Sequence, residues 1–287
     1  MPLSSDLVGT TGAPFSSTID ARWAMNFAAG IDDVTPILYD TTSDALPIHP
    51  MVLGYPEWEA TKRGRELASL TPEEHRRGVH VRHDIRLHQP LRAGLELTTT
   101  PEIVGAYRHR AGAYLALQHQ THTLAGEPVA TTFYGSIHRG TDTVGDDVIP
   151  ALEERPSTPP DAATGPALEL SIPANACHVY SECARIYNPF HTDLRVAHEV
   201  GLDGLILHGT ATLARSVAAI TGVLYGGDPS TITRIAGDFK GMVVVPTSLT
   251  LTYSRFVGAD GADTVTFEVL NTAGDRAISD GLIEYGG

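Results

Sequence analysis

A histidine on a loop and a glycine that opens a helix are the features of this sequence most suited to chemistry at a carbonyl group. Residues 185–193 read Arg-Ile-Tyr-Asn-Pro-Phe-His-Thr-Asp, and the Asn-Pro turn delivers His191 to the end of a loop. Residues 206–210 read Ile-Leu-His-Gly-Thr, and Gly209 begins a long apolar stretch. An imidazole serves as a base near neutral pH, and free N–H groups at a helix N-terminus stabilise a developing oxyanion. We therefore predict His191 as a base and the Gly209 N–H as an oxyanion donor.

These segments resemble the MaoC-like (R)-specific enoyl-CoA hydratases and 3-hydroxyacyl-thioester dehydratases. That family carries Gly-Asp-x-Asn-Pro-x-His, followed by His-Gly at the head of the central helix of a hotdog fold. The matching residues are Asn188, Pro189, His191, His208 and Gly209. Arg185 and Ile186 stand at the positions of the motif's glycine and aspartate. The resemblance implies reversible addition of water to trans-2-enoyl thioesters of CoA or of an acyl carrier protein, in fatty acid or polyketide metabolism, with no redox or metal cofactor.

The missing aspartate leaves the second acid–base group open. Ile186 cannot accept a proton, so either another polar group replaces the carboxylate or His191 acts as both base and acid through one water molecule. Tyr187 is adjacent, and Glu182 lies one turn upstream if that segment is helical. Asn188 either orients water through its amide or belongs to an ordinary turn. The candidate catalytic residues are His191, Asn188, Gly209 and Tyr187.

Four residues are expected to contact the substrate: His208, Thr210, Ile186 and His49. His49 has a second interpretation, as a structural residue of the loop before Pro50. Gly209 has one too, as the small residue required where a loop meets a buried helix. The apolar residues after Gly209 predict a helix that is buried on most sides, as the central helix of a hotdog would be.

The same order of sequence features occurs twice. In the first copy, Asp33 and Leu38 stand where Ile186 and His191 stand in the second. A His-Pro pair in the first copy and a His-Gly pair in the second each precede an apolar stretch and then sequence rich in β-forming residues. The resemblance therefore implies an α+β double hotdog, in which each repeat wraps an antiparallel sheet around a central helix. Because the two motif copies would lie at separate positions, we expect Asp33 to be vestigial or structural.

Composition suggests where the repeats divide. An acidic, proline-rich stretch at residues 142–165 lacks apolar periodicity and predicts an exposed linker between an N-terminal repeat, 1–141, and a C-terminal repeat, 166–287. The small and polar residues before Pro14 predict a poorly ordered tail. Asp20 and Asp193 are predicted to cap short helices that end at Gly30 and near Val200.

Charge and cysteine content limit the partners and the compartment. The net charge of −14 argues against nucleic acids and anionic membrane surfaces, and no apolar run is long enough to span a bilayer. Arg76, Arg77, Arg82 and Arg86 form the densest basic cluster, either for an anionic substrate or as a solvated surface. Two cysteines without a secretory segment favour a reducing cytoplasm. A monomer and a homodimer are both compatible with two fused hotdogs.

Three functions remain open from the sequence. The first is an enoyl-thioester hydratase or 3-hydroxyacyl-thioester dehydratase. The second keeps the oxyanion site but changes the reaction to isomerisation, conjugate addition or thioester hydrolysis, because the aspartate is missing. The third is a non-catalytic partner subunit or acyl-binding module.

Overall fold

The computed structural model describes residues 2–43, 45–68, 70–259 and 261–286. The helices are α1 (Ala21–Gly30), α2 (Gly54–Leu67), α3 (Pro72–Arg76), α4 (Ala176–Ala184), α5 (Leu194–Glu199) and α6 (Gly209–Tyr225). The strands are β1 (Leu3–Ser4), β2 (Phe15–Ile19), β3 (Gly78–Leu87), β4 (Leu95–His109), β5 (Gly112–Thr123), β6 (Pro128–Arg139), β7 (Thr143–Val144), β8 (Ala163–Thr164), β9 (Leu168–Ile172), β10 (Ile232–Phe239), β11 (Thr247–Val257), β12 (Asp263–Leu270) and β13 (Arg276–Tyr285). None of the helices in these ranges is long and apolar enough to cross a membrane.

Contacts between residues group the chain into two compact units. The first unit comprises Met1–Ser17, Pro56–Gln89 and Glu96–Glu154, and the second comprises Thr18–Tyr55, Pro90–Leu95 and Arg155–Gly287. The repeat boundaries predicted from composition, with a linker at 142–165, stay a prediction.

The first unit is built on an antiparallel sheet with the strand order β4–β5–β6–β3. Alternate residues of β4 are buried, as expected for a sheet with one face against a core. Helix α2 packs on this sheet through polar side chains as well as apolar ones. Thr61 Oγ1 lies 3.1 Å from His119 Nε2, and Thr132 donates a hydrogen bond of 2.5 Å to Glu57 Oε1. This helix therefore meets its sheet through a buried polar cluster.

The second unit has an antiparallel sheet with the order β11–β12–β13–β10, and β9 and β8 pair with β11. Helix α6 contacts β9, β10 and β13. Leu213, Val217 and Ile220 of this helix have no exposed surface, and its end is marked by Gly226 in the left-handed region at φ 61°. The prediction of a helix buried on most sides is confirmed.

Two copies of one arrangement are present in the chain. The strand orders β3–β6–β5–β4 and β10–β13–β12–β11 follow the same pattern. In each sheet the first strand along the chain is followed by the fourth, the third and the second. His49 and His208 precede their helical segments with nearly the same backbone angles, φ −61° and ψ 125° against φ −59° and ψ 137°. Short 3-10 turns at Pro36–Leu38 and Pro189–His191 also correspond. The α+β class and the repeat are therefore confirmed.

Two helix caps follow the prediction from sequence. The carboxylate of Asp20 accepts a hydrogen bond of 2.7 Å from Trp23 N–H at the start of α1. The carboxylate of Asp193 accepts from the N–H groups of Arg195 and Val196 at the start of α5, which ends at Glu199. Such caps satisfy N–H groups that have no partner inside the helix.

The prediction of a poorly ordered tail before Pro14 is wrong for the described residues 2–13. Leu3 is fully buried and pairs with Thr143 in a parallel bridge between β1 and β7. Gly9 N–H donates to the carbonyl of Ile103 at 2.8 Å. These partners are about a hundred or more residues away in sequence, so local composition gave no sign of them.

Candidate active site

The loop that carries His191 begins where α4 ends. Arg185 takes the left-handed conformation at φ 59°, and Ile186 N–H then donates to Ser181 carbonyl at 3.1 Å, which terminates the helix. The chain continues in extended conformation through Asn188 into the 3-10 turn that starts at Pro189. Proline suits the first position of such a turn because its missing N–H needs no partner there. This geometry places the His191 side chain at the end of the turn, with 8% of the residue exposed.

Hydrogen bonding defines the tautomer of His191. Its Nδ1 lies 2.7 Å from the carbonyl oxygen of Ile206, and because a carbonyl only accepts, Nδ1 carries the hydrogen. Burial lowers the pKa of His191 to about 4, although the Ile206 hydrogen bond opposes this shift. His191 is therefore neutral at pH 7 and has a lone pair on Nε2, as a general base requires.

His208 is stacked on His191. The ring centroids are 3.6 Å apart with an interplanar angle of 23°, and His208 Nε2 lies 3.4 Å from Ser181 Oγ. Burial lowers the pKa of His208 well below its usual value, and the neighbouring His191 lowers it further. Both rings are thus neutral, and a charge on one disfavours a charge on the other.

The first turn of α6 presents two free N–H groups. The N–H groups of Ala211 and Thr212 both donate to His208 carbonyl, whereas those of Gly209 and Thr210 have no acceptor among the described residues. A Cβ on Gly209 would lie 2.9 Å from the ring of Phe239, too close for a side chain. Packing therefore requires glycine at the position whose N–H is the candidate oxyanion donor.

Three other predicted residues have different surroundings. Ile186 is 6% exposed, and its Cδ1 lies 3.4 Å from where a Cβ on Gly54 would be. The side-chain amide of Asn188 makes no hydrogen bond to any described protein group. Tyr187 is 57% exposed and its hydroxyl donates to Glu182 at 3.4 Å. The structure brings His208 against His191, but it shows no contact between Tyr187 and His191 within the described ranges.

The corresponding polar residues of the first copy form hydrogen bonds within their own turns. The His49 side chain is buried and accepts a hydrogen bond inside the turn that begins at Pro50. The carboxylate of Asp33 accepts from Thr35 N–H at 3.0 Å. Leu38 replaces the histidine base, and Pro50 has no N–H to offer at the position of the glycine. The first copy therefore lacks both chemical groups.

Tyr180 was missed by the reading of the sequence. It is fully buried on α4, and its hydroxyl donates to Thr210 Oγ1 at 3.1 Å. Its ring lies 5.0 Å from that of His208. The available signal was the spacing of Cys177, Tyr180, Ser181 and Ala184, which places them on one face of a helix that leads into the loop.

Other predicted sites receive less support. Arg86 forms an ion pair with Glu153, and Arg82 lies 3.8 Å from Asp84, so these two members of the basic cluster have acidic neighbours. In the described part of the chain, no three His, Cys, Asp or Glu side chains gather in a way that would hold a metal ion.

A known family matches part of each half of the chain. Residues 170–276 match the family described as MaoC like domain. Residues 6–132 match the family described as FAS1-like, dehydratase domain region. No curated protein matches the chain.

Solved structures show the same fold at low sequence identity. A MaoC-like dehydratase from Phytophthora capsici superposes with a TM-score of 0.80 at 19% identity, over 98% of each chain. The peroxisomal multifunctional enzyme type 2 of Drosophila melanogaster gives a TM-score of 0.75 at 17% identity, over 96% of this chain and 48% of the enzyme. A conserved hypothetical protein of Mycobacterium tuberculosis, described as having a double hotdog fold, gives 0.63 at 17% identity, over 95% of this chain and 94% of that protein. These likenesses establish the fold.

Proposed function

Since this double-hotdog chain carries a MaoC-like dehydratase domain at residues 170–276, we propose that it is a hydro-lyase acting on trans-2-enoyl thioesters and (R)-3-hydroxyacyl thioesters. One observation carries the proposal. The neutral His191, whose Nδ1 hydrogen is held by Ile206, belongs to the same cluster as the free N–H groups that begin α6. A base and an oxyanion donor are the two groups that water addition next to a thioester requires.

In the hydration direction, Nε2 of His191 takes a proton from water while the water oxygen forms a bond to C3 of the enoyl group. The electron pair of the C2–C3 double bond moves towards the thioester carbonyl, whose oxygen becomes an enolate oxygen. The Gly209 N–H donates a hydrogen bond to this oxygen. The protonated His191 then gives its proton to C2, so that one water molecule has been added and the imidazole is neutral again. Dehydration follows the same steps in reverse.

One histidine is sufficient for both proton transfers in this scheme. Ile186 occupies the position of the family's aspartate and has no proton to exchange. A pKa of about 4 makes protonated His191 a strong acid towards C2, and this supports its use as the acid of the second step. The free amide of Asn188 is suited to hold the attacking water. Tyr187 remains a candidate for the second proton, although its hydrogen bond to Glu182 favours a lesser role.

The finer parts of the proposal rest on the sequence. We propose that His208, Thr210 and Ile186 contact the acyl thioester, and that His49 of the first copy also contacts it. CoA and an acyl carrier protein are both suitable carriers, and fatty acid or polyketide metabolism in the cytoplasm is the expected setting. The protein is proposed to be a monomer or a homodimer.

The test is incubation of the purified protein with short, medium and branched trans-2-enoyl-CoAs, with water addition followed by mass spectrometry. We expect a product heavier by one water molecule, formed by the wild type and lost in His191→Ala. The matched control is His198→Ala, which removes an exposed histidine of the same unit. Equal activity of His191→Ala and His198→Ala would contradict the proposal.

The absence of a carboxylate at Ile186 favours one alternative, a different thioester reaction at the same oxyanion site. Release of free CoA without hydration of the C2–C3 double bond would identify thioester hydrolysis. A change in double-bond position without a change in mass would identify isomerisation. A protein that binds acyl-CoA but turns over none of these thioesters would be a non-catalytic acyl-binding module.

A further inference from the structure

A pair of hydroxyl groups joins α4 to the first turn of α6. Tyr180 has no exposed surface, and its phenol donates a hydrogen bond of 3.1 Å to Thr210 Oγ1. Thr210 is the second residue of α6 and directly follows Gly209. The pair therefore lies at the helix terminus that the proposed reaction uses for its oxyanion.

The direction of this hydrogen bond leaves a donor available. A threonine hydroxyl has one hydrogen, and because Thr210 Oγ1 accepts from Tyr180, its own hydrogen is left to donate to another group. Among the described residues, no protein acceptor for it is found. A hydrogen bond received from a buried phenol also polarises the threonine hydroxyl and strengthens it as a donor.

The internal repeat supplies independent support. By the alignment that places Asp33 against Ile186 and His49 against His208, Tyr180 corresponds to Phe27, and Thr210 corresponds to Met51. The two first-copy residues are 1% exposed and carry no hydroxyl.

The same first copy has also lost the other two chemical groups. His191 corresponds to Leu38, and Gly209 corresponds to Pro50. The hydroxyl pair is thus present in the copy that keeps the base and the N–H donor, and absent from the copy that has neither.

We propose that Thr210 is a catalytic residue, whose hydroxyl donates a hydrogen bond to the thioester oxygen in addition to the one from the Gly209 N–H. Tyr180 is the positioning residue that orients this hydroxyl. This inference rests on the proposed function, because the oxygen that receives the bond is the one that becomes an enolate during water addition. With Ile186 in place of a carboxylate, enolate formation depends more heavily on the donors at this helix terminus.

The chain offers a matched control for the pair. Thr221 Oγ1 and the Tyr285 hydroxyl lie 3.0 Å apart, both residues are 2% exposed, and Thr221 belongs to the same helix, three turns after Thr210. Thr221→Val and Tyr285→Phe therefore remove the same chemical groups from the other end of α6.

The experiment compares steady-state kinetics of wild type, Thr210→Val, Thr210→Ser, Tyr180→Phe and the two control variants on the enoyl-CoA that the wild type hydrates best. Thr210→Val is expected to lower kcat by about 100-fold or more with little change in KM, since the bond strengthens only as the oxyanion forms. Thr210→Ser keeps a hydroxyl and should stay within about tenfold of wild type, and Tyr180→Phe should lower kcat by about tenfold. The controls should match wild type.

The outcomes separate this inference from the proposed function. If the wild type hydrates an enoyl-CoA and His191→Ala does not, but Thr210→Val and Thr221→Val have the same kcat, the inference is overturned and the function stands. If Thr210→Val and Thr210→Ser lose kcat equally, a structural role replaces the catalytic one. If the wild type hydrates no enoyl-CoA, the proposed function fails and the inference falls with it. Thermal melts of each variant identify any loss that comes from unfolding.

Discussion

Replacing Glu57 by glutamine should stabilise the protein at neutral pH. Glu57 is 2% exposed within the first unit, where Thr132 donates a hydrogen bond to its Oε1 and His83 Nε2 lies 3.7 Å from its Oε2. Burial raises the pKa of Glu57 to about 8 from 4.5, with the Thr132 hydrogen bond opposing the shift. The carboxyl group is therefore protonated in the folded protein at pH 7 and ionised in the unfolded chain.

The sign and size of the effect follow from this difference. Between pH 4.5 and about 8 the folded protein binds the Glu57 proton and the unfolded chain does not, so stability falls as pH rises through that window. At about 1.4 kcal/mol per pH unit, the free energy of unfolding of the wild type is about 3 kcal/mol lower at pH 7 than at pH 4.5 because of this group. Glutamine has no ionisation to suppress, and its amide can accept from Thr132 and donate to His83. Glu57→Gln should thus be about 3 kcal/mol more stable at pH 7 and equal to wild type near pH 4.

Urea unfolding of both proteins from pH 4 to pH 9 measures this difference directly. The other titratable groups of the cluster, among them His119, Tyr134 and Arg65, are common to both proteins and cancel to first order in the comparison. Glu66→Gln, which makes the same substitution at an exposed carboxylate of the same helix, is the matched control. A stability difference that is constant across pH, or a glutamine variant less stable than wild type at pH 7, would refute a protonated Glu57.

The remaining predictions concern the candidate active site. Because His191 must be neutral to act as a base and burial lowers its pKa to about 4, kcat/KM should be constant from pH 5 to pH 8 and fall by half near pH 4; a loss centred near pH 6.5 would contradict a buried base. Gly209→Ala should lower both activity and melting temperature, since its Cβ would lie 2.9 Å from the Phe239 ring. Adding Phe239→Leu should restore the melting temperature, and failure to do so would contradict a steric cause.

Local sequence signals predicted the elements that depend on neighbouring residues. Asp20 and Asp193 cap their helices as predicted, because a cap is formed by a side chain and N–H groups two or three residues away. The helix that begins at Gly209 was also predictable from neighbouring residues, because its apolar residues repeat at helical spacing. The repeat, the α+β class and the resemblance to the MaoC-like proteins were likewise present in the order of residues, and the two family matches confirm the resemblance.

Contacts between distant segments were not predictable in this way. Leu3 is buried against β7, about 140 residues away, so a tail that looks polar and short is part of the first unit. The buried cluster around Glu57 joins α2 to β3, β5 and β6, and its pKa depends on burial that no local pattern reveals.

The sequence by itself determined which residues of the second copy are the candidates for its chemistry, because His191 and Gly209 belong to a motif of fixed spacing. Only the tertiary structure decided their state. Packing buries His191 against His208. The Nδ1–H of His191 donates a hydrogen bond to the Ile206 carbonyl, which leaves a neutral ring with a free Nε2. Packing also brings Tyr180 to Thr210 across 30 residues. Spacing fixes which side chains exist near a turn, whereas protonation and hydrogen-bond direction depend on what the folded chain places around them.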